Sequence, residues 1–513
     1  MQQIDVTVKP GHPEQEQAEL LVLTHYEDAD RLHGDAATVD RALGGILNQL
    51  LSSGEFTGKN QQTTVVHTHG KLPAKRVLLL GLGKKKDAKV ETIRQAMGVA
   101  AKRAKAVNAT SLTASIAGTD LSGVTDGMLA QAMVEGTILG SYQFTAYRST
   151  SQDKKEKTFS RIILVVANAA SLAAVKQGAA YGHAGAEAAV FVRDLCNHPS
   201  NVMTPSRVAE EAKQIAKSNR IKIKILERKD VEHLGMGAFL GVAKGSHEPP
   251  KFIILEYDGR KGARTNKKGT ATGPIVLVGK TITFDTGGIS LKPAENMEQM
   301  KADMTGGAEV LATIRAVAKL KLPVHLISIL PATENMPGGA AIKPGDILMT
   351  LSGKTVEVQN TDAEGRLILA DGLTYATRLK PSAIIDIATL TGACVVALGQ
   401  FAIGMFGNDQ ALKDKVRQAG TSAGERVWEM PLWDEYFEQL KSDVADMRNI
   451  GGRGGGMITA ALFLSKFVGD CKWVHLDIAS TDWSERERAY IPKGPSGIGT
   501  RLLLQYVINE ATA

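Results

Sequence analysis

The sequence predicts an α/β fold divided into two domains. Apolar runs of strand length alternate with helical stretches along most of the chain, which is the pattern of sheets covered by helices. The 513 residues exceed what a single hydrophobic core usually serves, and the 43% hydrophobic and 22% charged fractions are those of an ordinary globular protein. We therefore expect a smaller N-terminal α/β domain and a larger C-terminal domain with a central mixed β-sheet flanked by helices.

The first third of the chain carries the elements of the smaller domain. Strands are predicted from apolar runs at residues 20–23, 77–80 and 162–166. Residues 90–106 predict a helix between them, and an alanine- and glycine-rich stretch at 171–195 predicts a long helix that connects the two halves. We place the N-terminal α/β domain at residues 1–172 and the C-terminal domain at 173–513, beginning with a linking helix at about 173–200.

The remainder of the chain contains the elements of the larger domain, after a predicted helix at 206–218. Strands are predicted from apolar runs at residues 221–226, 252–257, 275–278, 324–329, 384–388 and 473–478. Helices between them indicate a second sheet with a mostly buried interior. The apolar stretch at 384–407 has the length of a membrane helix, but Asp386, Gln400 and four glycines favour a buried strand that runs into a loop.

Cysteine usage and the N-terminus bear on the compartment. The three cysteines, Cys196, Cys394 and Cys471, are too few and too far apart for a disulfide framework. Residues 1–17 are polar and lack the apolar stretch of a signal peptide. We expect a soluble protein of the reducing cytoplasm that does not enter a membrane.

Residues 360–367 read Asn-Thr-Asp-Ala-Glu-Gly-Arg-Leu and form the most informative segment. Asp362 and Glu364 are two residues apart, so on an extended backbone they share one side, and Arg366 shares it just before a helical run at 367–379. Such a cluster suits the binding of cations. The simpler alternative is that Asp362 caps the helix and Glu364 favours the positive end of the helix.

A second charged segment, at residues 280–304, favours the cation site. The predicted strand at 275–278 ends in a glycine-bearing loop with lysines and aspartates, and loops at the carboxyl ends of strands are where open α/β sheets place chemistry. Buried charges are tolerated only when they are paired or bound to metal, so these groups need a common partner.

Charge counting suggests that this partner is a pair of divalent cations. Asp285, Asp303, Asp362 and Glu364 bring four negative charges, which two such ions would cancel. Oxygen-rich sites suit magnesium, manganese or zinc. The sequence has no His-Glu-x-x-His motif, and its eleven histidines show no metal-ligand spacing.

Together, the two segments resemble the M17 leucyl aminopeptidases, in their bacterial cytosol aminopeptidase form, whose signature is Asn-Thr-Asp-Ala-Glu-Gly-Arg-Leu. Further matching segments lie at residues 193–195, 201–205, 334–337, 344–346, 352–355 and 475–479. The resemblance implies a macro-like N-terminal domain and a C-terminal metallo-exopeptidase domain. It also implies a homohexamer that hydrolyses N-terminal residues, leucine and other apolar ones preferentially, from peptides.

The resemblance further implies two metal positions, filled by Zn²⁺ and/or Mn²⁺. One ion would be held by Asp285, Asp362 and Glu364, and the other by Lys280, Asp285, Asp303 and Glu364, so that Asp285 and Glu364 bridge the two. Lys280 can ligate only as a neutral amine, and two adjacent dications would lower its pKa enough for that.

The catalytic and substrate-binding residues are likewise implied by the resemblance. Lys292 would stabilise the oxyanion, and Arg366 would hold a bicarbonate that acts as general base, with a backbone contact from Leu390. The pocket for the first substrate side chain would be lined by Met300, Thr389 and Gly392. The alternatives are ordinary ion pairs for the two basic residues and core packing for Met300.

Two departures from the family pattern and one other function class stay open. Thr281 and Ser480 stand where the family commonly has glycine, which affects the expected shape of the pocket. The net charge of +7, with basic runs at 84–86 and 154–157, leaves a DNA-binding regulatory protein with a secondary peptidase site as the alternative.

Overall fold

The computed structural model of the chain describes residues 4–116, 119, 121–149, 159–260 and 273–512. The chain divides into two compact units, Met1–Val190 with Arg486–Lys493, and Phe191–Glu485 with Gly494–Ala513. The basic run at 154–157 lies outside the described residues. The domain boundary at residues 172 and 173 stays a prediction.

A six-stranded sheet forms the centre of the first unit. Its strands are β1 Asp5–Pro10, β2 Leu21–His25, β3 Thr63–His67, β4 Arg76–Gly81, β5 Ser111–Ser115 and β6 Arg161–Val166. They are ordered β1-β6-β5-β2-β4-β3, and all neighbours are parallel except β3 and β4. The three strands expected in this region are therefore confirmed, each with slightly different ends.

Helices cover this sheet and continue the chain into the second unit. They are α1 Gly34–Leu43, α2 Ile46–Ser52, α3 Val90–Ala106, α4 Asp126–Ser141 and α5 Leu172–Asn197. The helix predicted at 90–106 is found with those bounds, and the long connecting helix is found as α5. Burial is concentrated on the alanine-rich face of α3 and along α4, as expected for helices packed on a sheet.

The second unit is organised around a nine-stranded mixed sheet. Its strands are β7 Lys222–Leu226, β8 Lys251–Asp258, β9 Ile275–Gly279, β10 Thr281–Asp285, β11 His325–Asn335, β14 Ala383–Ala388, β15 Ile403–Gly407, β16 Val427–Glu429 and β18 Trp473–Asp477. The order is β16-β15-β18-β14-β9-β11-β8-β7, with β10 paired to β11. Two small sheets lie outside it. One is three-stranded, with β12 Ile347–Met349, β13 Thr355–Glu357 and β17 Met447–Arg448, and the other is two-stranded, with β19 Trp483–Ser484 and β20 Gly494–Pro495.

Helices flank this sheet, which confirms the predicted two-domain α/β class. They are α6 Pro205–Asn219, α7 Arg228–Leu234, α8 Gly237–Ala243, α9 Thr305–Lys319, α10 Glu364–Thr377, α11 Gly392–Leu398, α12 Gln410–Ala423, α13 Gly456–Ser465 and α14 Thr500–Thr512. Within the described residues, no helix combines the length and the apolar character needed to cross a bilayer.

Three central parallel strands end at the same edge of the large sheet. Ile387 of β14 pairs with Gly279 of β9, and Ala388 pairs with Asp477 of β18. The residues that follow these strand ends are therefore brought together. The segment after β9 differs from the predicted loop in one respect, because Thr281–Asp285 forms a further strand, β10, that is parallel to β11.

Candidate metal centre

The octapeptide 360–367 adopts a turn followed by the first turn of α10. The predicted extended backbone through Glu364 and Arg366 is wrong, because α10 begins at Glu364 and both residues are helical. The Asp362 amide donates to Asn360 Oδ1 at 2.8 Å, which closes the turn before the helix. The N-cap residue is Ala363, so the alternative in which Asp362 caps this helix is also wrong.

The five residues predicted as metal ligands lie in one cluster. Ligand oxygens of Asp285, Asp303 and Glu364 are all within 4.8 Å of one another. Lys280 Nζ lies 2.8 Å from Asp303 Oδ1 and 2.8 Å from Glu364 Oε1. Asp362 joins the cluster through Lys292, the residue to which the family resemblance assigns the oxyanion.

Lys292 bridges the other side of the cluster. Its Nζ lies 2.9 Å from Asp285 Oδ2 and 2.5 Å from Asp362 Oδ1. Each lysine is thus paired with a different two of the four acids. The cluster holds four acids against two lysines, so two negative charges are left over when all six groups are ionised.

The ends of β9, β10 and α10 position the ligands. Lys280 follows the last residue of β9, Asp285 is the last residue of β10, and Glu364 is the first residue of α10. Gly365 leaves room for the lysine, because a Cβ atom added there would lie 2.6 Å from Lys280 Cε. A glycine is therefore required next to Glu364 by the close approach of the Lys280 side chain.

Hydrogen bonds join the octapeptide to the loop after β10. Thr361 Oγ1 donates to Gly287 O at 2.6 Å and accepts from the Ser290 amide at 2.8 Å. Asn335 Nδ2 donates both to Asp285 Oδ1, at 2.8 Å, and to Thr361 O, at 3.0 Å. These bonds fix Asp285 and Asp362 relative to each other, although the two residues are far apart in the chain.

Burial and like charges disfavour the ionised acids. Burial raises the pKa of Asp303 well above its usual range, against the attraction of Lys280. Burial, followed by repulsion from Asp285, also raises the pKa values of Glu364 and Asp362. Burial acts to lower the pKa of Lys280, but its carboxylate neighbours raise it overall. The acids would be stabilised as carboxylates by more positive charge than two lysines supply.

The donor set fits divalent metal ions. Asp303 Oδ2 and Glu364 Oε2 are buried and accept no hydrogen bond from any residue that the structure describes. Buried carboxylate oxygens are normally satisfied, so these two point to a partner of another kind. Carboxylate oxygens and an amine nitrogen are ligands for zinc or manganese.

Arg366 lies beside this cluster on the first turn of α10. Its side chain is buried, and Nη1 donates to Asn449 O at 2.8 Å. Its Nε has no hydrogen-bond partner within the described part of the chain. Burial lowers the pKa of Arg366 to about 10, against the attraction of Glu364 and Asp477. The guanidinium can therefore accept an anionic ligand through its free N–H.

The predicted pocket residues lie close to the ligands to different degrees. Thr389 contacts two ligands directly, since its O accepts from Lys280 Nζ at 2.8 Å and its Oγ1 donates to Asp303 Oδ1 at 2.6 Å. Met300 is half-buried in a short 3₁₀ helix, and its O accepts from the Asp303 amide at 3.2 Å. Gly392 is exposed, and a Cβ atom there would meet no atom of the described residues within 4 Å.

Leu390 and the two departures from the family pattern have defined environments. The Leu390 amide donates to Asp477 Oδ1 at 3.2 Å. Thr281 Oγ1 donates to Gly279 O at 2.8 Å, and its side chain packs against Gly307 of α9 rather than against the ligands. Ser480 Oγ donates to Ala402 O at 2.6 Å.

Three residues of the site were not singled out from the sequence. Asn335 orients Asp285, Asn449 orients Arg366, and Asp477 binds the Leu390 amide. Asn335 and Asp477 stand at the ends of β11 and β18. Two sequence signals could have identified them: both lie in segments that match the family, 334–337 and 475–479, and both stand at strand ends that share the edge with β9.

Comparisons with known proteins agree with this geometry. Residues 190–504 match the cytosol aminopeptidase family, catalytic domain, and residues 22–151 match the N-terminal domain of that family. A probable cytosol aminopeptidase of Geobacter sp. (strain M21) is 48% identical over 468 residues, which are 91% of this chain and 92% of that protein. The corresponding protein of Roseiflexus castenholzii (strain DSM 13941 / HLO8) is 45% identical over 501 residues, 98% of each chain.

Solved structures share the whole fold. A mutant of tomato leucine aminopeptidase is similar with a TM-score of 0.86 and 33% identity, over 99% of this chain and 97% of that chain. The bottromycin maturation enzyme BotP, in complex with Mn, is similar with a TM-score of 0.83 and 32% identity, over 96% of this chain and 100% of that chain.

Proposed function

The chain belongs to the cytosol aminopeptidase family and is an aminopeptidase, and from this premise we propose that it is a two-metal enzyme that removes N-terminal leucine and other apolar residues from peptides. The observation that carries the proposal is the cluster of Lys280 with four acids. Two of those acids, Asp303 and Glu364, have oxygens that accept no hydrogen bond from the described residues.

The proposed ligand sets share two residues. Asp285, Asp362 and Glu364 would hold one divalent ion, and Lys280, Asp303 and the shared pair Asp285 and Glu364 would hold the other. Zn²⁺ and Mn²⁺ both suit these donors. Two divalent ions held by these residues would supply a water of lowered pKa and would polarise the peptide carbonyl. Lys280 would exchange its proton for a metal, since the charge that now keeps it protonated comes from the same carboxylates.

Lys292 is proposed to act on the substrate. Its side chain is 22% exposed, whereas that of Lys280 is 3% exposed, so only Lys292 is open to a ligand that enters from solvent. Asp285 and Asp362, which now pair with Lys292, are proposed metal ligands, so as ligands they would leave its ammonium available to the substrate. The ammonium can then stabilise the oxyanion that forms at the attacked carbonyl.

Arg366 is proposed to hold a bicarbonate as general base. A guanidinium does not accept protons at working pH, so the base must be a bound anion. The free Nε–H of Arg366 and the fixed orientation of its Nη1 support this assignment. The side chain of the first substrate residue would lie near Met300, Thr389 and Gly392, where Gly392 leaves open space.

The test compares a substrate that has a free α-amino group with its blocked counterpart. Leucyl-p-nitroanilide should be hydrolysed and its N-acetyl derivative should not, because we propose that the free α-amino group of the substrate would bind one of the two ions. Chelation should stop hydrolysis, and Mn²⁺ or Zn²⁺ should restore it with two ions per chain. Similar rates on both substrates would instead indicate an endopeptidase or a different substrate class.

The wider properties in the proposal rest on family resemblance. We propose a homohexamer in the cytoplasm. Val395 and Val396 of α11, and Phe401 just after it, are exposed apolar residues that would suit a subunit contact.

The alternative of a DNA-binding regulatory protein is not favoured by the comparisons. Lys84, Lys85 and Lys86 are exposed, as expected for solvated surface residues, and the dependence of DNA retention on salt would measure any contribution from them.

A further inference from the structure

We propose that Asp477 is a positioning residue for the metal position that Lys280 and Asp303 serve, and that it acts through residues 389–391. The inference rests on the proposed two-metal function and adds a residue to it. Asp477 contacts neither Lys280 nor Asp303 in any hydrogen bond or ion pair found among the described residues. Its effect must therefore pass through the segment that follows β14.

The Asp477 carboxylate is fully buried and holds this segment at two points. Oδ1 accepts from the Leu390 amide at 3.2 Å, and Oδ2 accepts from Thr391 Oγ1 at 2.6 Å. The Thr391 hydroxyl in turn accepts from the Cys394 amide at 3.1 Å and so caps α11. One carboxylate thus fixes both the backbone after β14 and the start of the next helix.

Thr389 carries this restraint to the metal ligands. Its O accepts from Lys280 Nζ at 2.8 Å, and its Oγ1 donates to Asp303 Oδ1 at 2.6 Å. Lys280 and Asp303 are the two ligands assigned to this metal position and not to the other. Thr389 therefore bonds to both residues that distinguish that position from the other.

The other metal position is connected differently. Its distinguishing ligand, Asp362, bonds to Lys292 through its side chain and to Asn360 through its amide. Asp285 and Glu364 are assigned to both positions. A shift of residues 389–391 should therefore lower the affinity for one ion selectively. A general loss of folding would lower the affinity for both.

The expected magnitude follows from the behaviour of groups that orient metal ligands. Removing such a group typically lowers metal affinity or activity by roughly 10–100-fold. Removal of the Asp477 carboxylate also leaves the Leu390 amide and the Thr391 hydroxyl without their acceptor, so the segment should move. We expect the second ion of Asp477→Ala to bind about 10–100-fold more weakly, while the first ion binds as in the wild type.

Asp386 provides a matched control. It is equally buried, lies on the neighbouring strand β14, and accepts from Trp473 Nε1 and His475 at 2.6 Å each. These partners lie on β18, and neither forms a hydrogen bond to residues 389–391 among the residues that the structure describes. Asp386→Ala should therefore lower thermal stability without weakening one ion more than the other.

The experiment is a titration of metal-free protein with Mn²⁺, followed by metal content and by unbound Mn²⁺ in electron paramagnetic resonance. The wild type is measured first, and failure to take up two ions would count against the proposed function rather than against the role of Asp477. Asp477→Ala should retain one tight ion, and excess Mn²⁺ should raise its kcat towards the wild-type value.

Two milder variants keep the inference testable if Asp477→Ala does not fold. Asp477→Asn retains an oxygen for the Leu390 amide and should restore most of the affinity for the second ion. Thr391→Val removes only the hydroxyl contact and should give an intermediate loss. The inference is overturned if Thr391→Val, and Asp477→Ala where it folds, bind both ions as the wild type does, or if the affinities for both ions fall together in proportion to thermal stability.

Discussion

Helix α10 carries two buried acids, Glu364 and Asp371, and their different surroundings distinguish a proposed metal ligand from an acid that stabilises the fold. Asp371 is satisfied by main-chain donors, since Oδ1 accepts from the Leu351 amide at 2.7 Å and Oδ2 accepts from the Phe239 amide at 2.8 Å. Glu364, two helical turns earlier, has one oxygen on Lys280 and one that accepts no hydrogen bond from the described residues.

The comparison shows that burial alone does not identify a functional acid. Burial raises the pKa of Asp371 to about 7, against the main-chain hydrogen bonds, and it also raises the pKa of Glu364. Asp371 joins α8 to α10 and to the turn between β12 and β13, so its hydrogen bonds stabilise the fold. Glu364 instead has an oxygen that accepts no hydrogen bond from the described residues, and it lies among other carboxylates. This arrangement lowers the stability of the metal-free protein but leaves a ligand for a metal ion.

The largest effect should come from removing a residue assigned to both metals. Glu364→Ala or Asp285→Ala should abolish hydrolysis and reduce metal content, because at least one position loses its bridging ligand. Near-normal turnover with two ions per chain would contradict the ligand assignment.

In the metal-free protein, Glu364→Gln should leave the free energy of unfolding unchanged or higher, because an amide does not repel the other three acids. Thermal unfolding of the variant and the wild type in the presence of a chelator measures this difference in stability.

The two lysines should separate catalysis from metal binding. Lys292→Ala should keep both ions and lower kcat by about 10²–10³-fold, the typical cost of roughly 3–4 kcal/mol for one oxyanion contact. Lys280→Ala should release one ion and regain part of its activity in excess cation. Metal analysis and kcat on the same preparations test both outcomes. If Lys292→Ala lost metal and Lys280→Ala kept both ions, the roles assigned to the two lysines would have to be exchanged.

Asp371 should show the opposite pattern from Glu364. Asp371→Asn places an NH₂ group against one of the two main-chain amides, which should lower the free energy of unfolding by about 1–3 kcal/mol. Below its unfolding transition, the variant should keep two ions and wild-type kcat. Urea unfolding, with kcat measured at low temperature, checks both. Metal loss from the folded variant would show that Asp371 supports the site directly.

Local sequence patterns were sufficient for the strands with long apolar runs, and together with the family resemblance they identified the clustered residues. The apolar runs that became β4, β9 and β14 are long and uninterrupted, and the octapeptide carries two acids and an arginine within five residues. The turn at Asn360 was not predictable in this way, because its side chain competes with the extended backbone that the spacing of the acids suggested. The alternating segment after Lys280 became β10 because β11 was available as a partner.

Long-range partners explain what the sequence could not predict. Asn335 lies 50 residues from Asp285, and Asp477 lies 87 residues from Leu390. Both residues lie in segments that match the family pattern, 334–337 and 475–479, but no local pattern reveals which distant group each of them contacts. The direction of the Thr281 side chain likewise depends on a distant element. Helix α9 begins more than 20 residues later in the chain, and its Gly307 leaves room for the threonine.

The smallest effect on activity is expected at Thr281. Its side chain contacts Gly307 rather than the ligands, so Thr281→Gly should leave kcat nearly unchanged and cost only about 1–2 kcal/mol of stability through lost packing and added backbone entropy. Gly307→Ala alone should cost about 1–3 kcal/mol, because its Cβ would lie 2.1 Å from Thr281 Oγ1. It should also weaken metal binding, since the Gly307 amide donates to Lys280 O at 2.8 Å.

Combining the two substitutions should restore what Gly307→Ala loses. All three atoms nearest to the added Cβ belong to Thr281, so the double variant removes the clash and should recover both stability and the affinity for metal. Gly306→Ala is the matched control, because its Cβ would lie 2.1 Å from Ile387 O, a main-chain atom that Thr281→Gly leaves in place. Urea unfolding and metal titration of the four variants of the cycle measure the coupling. Additive losses, or a large gain of activity in Thr281→Gly alone, would show instead that the threonine side chain crowds the metal site.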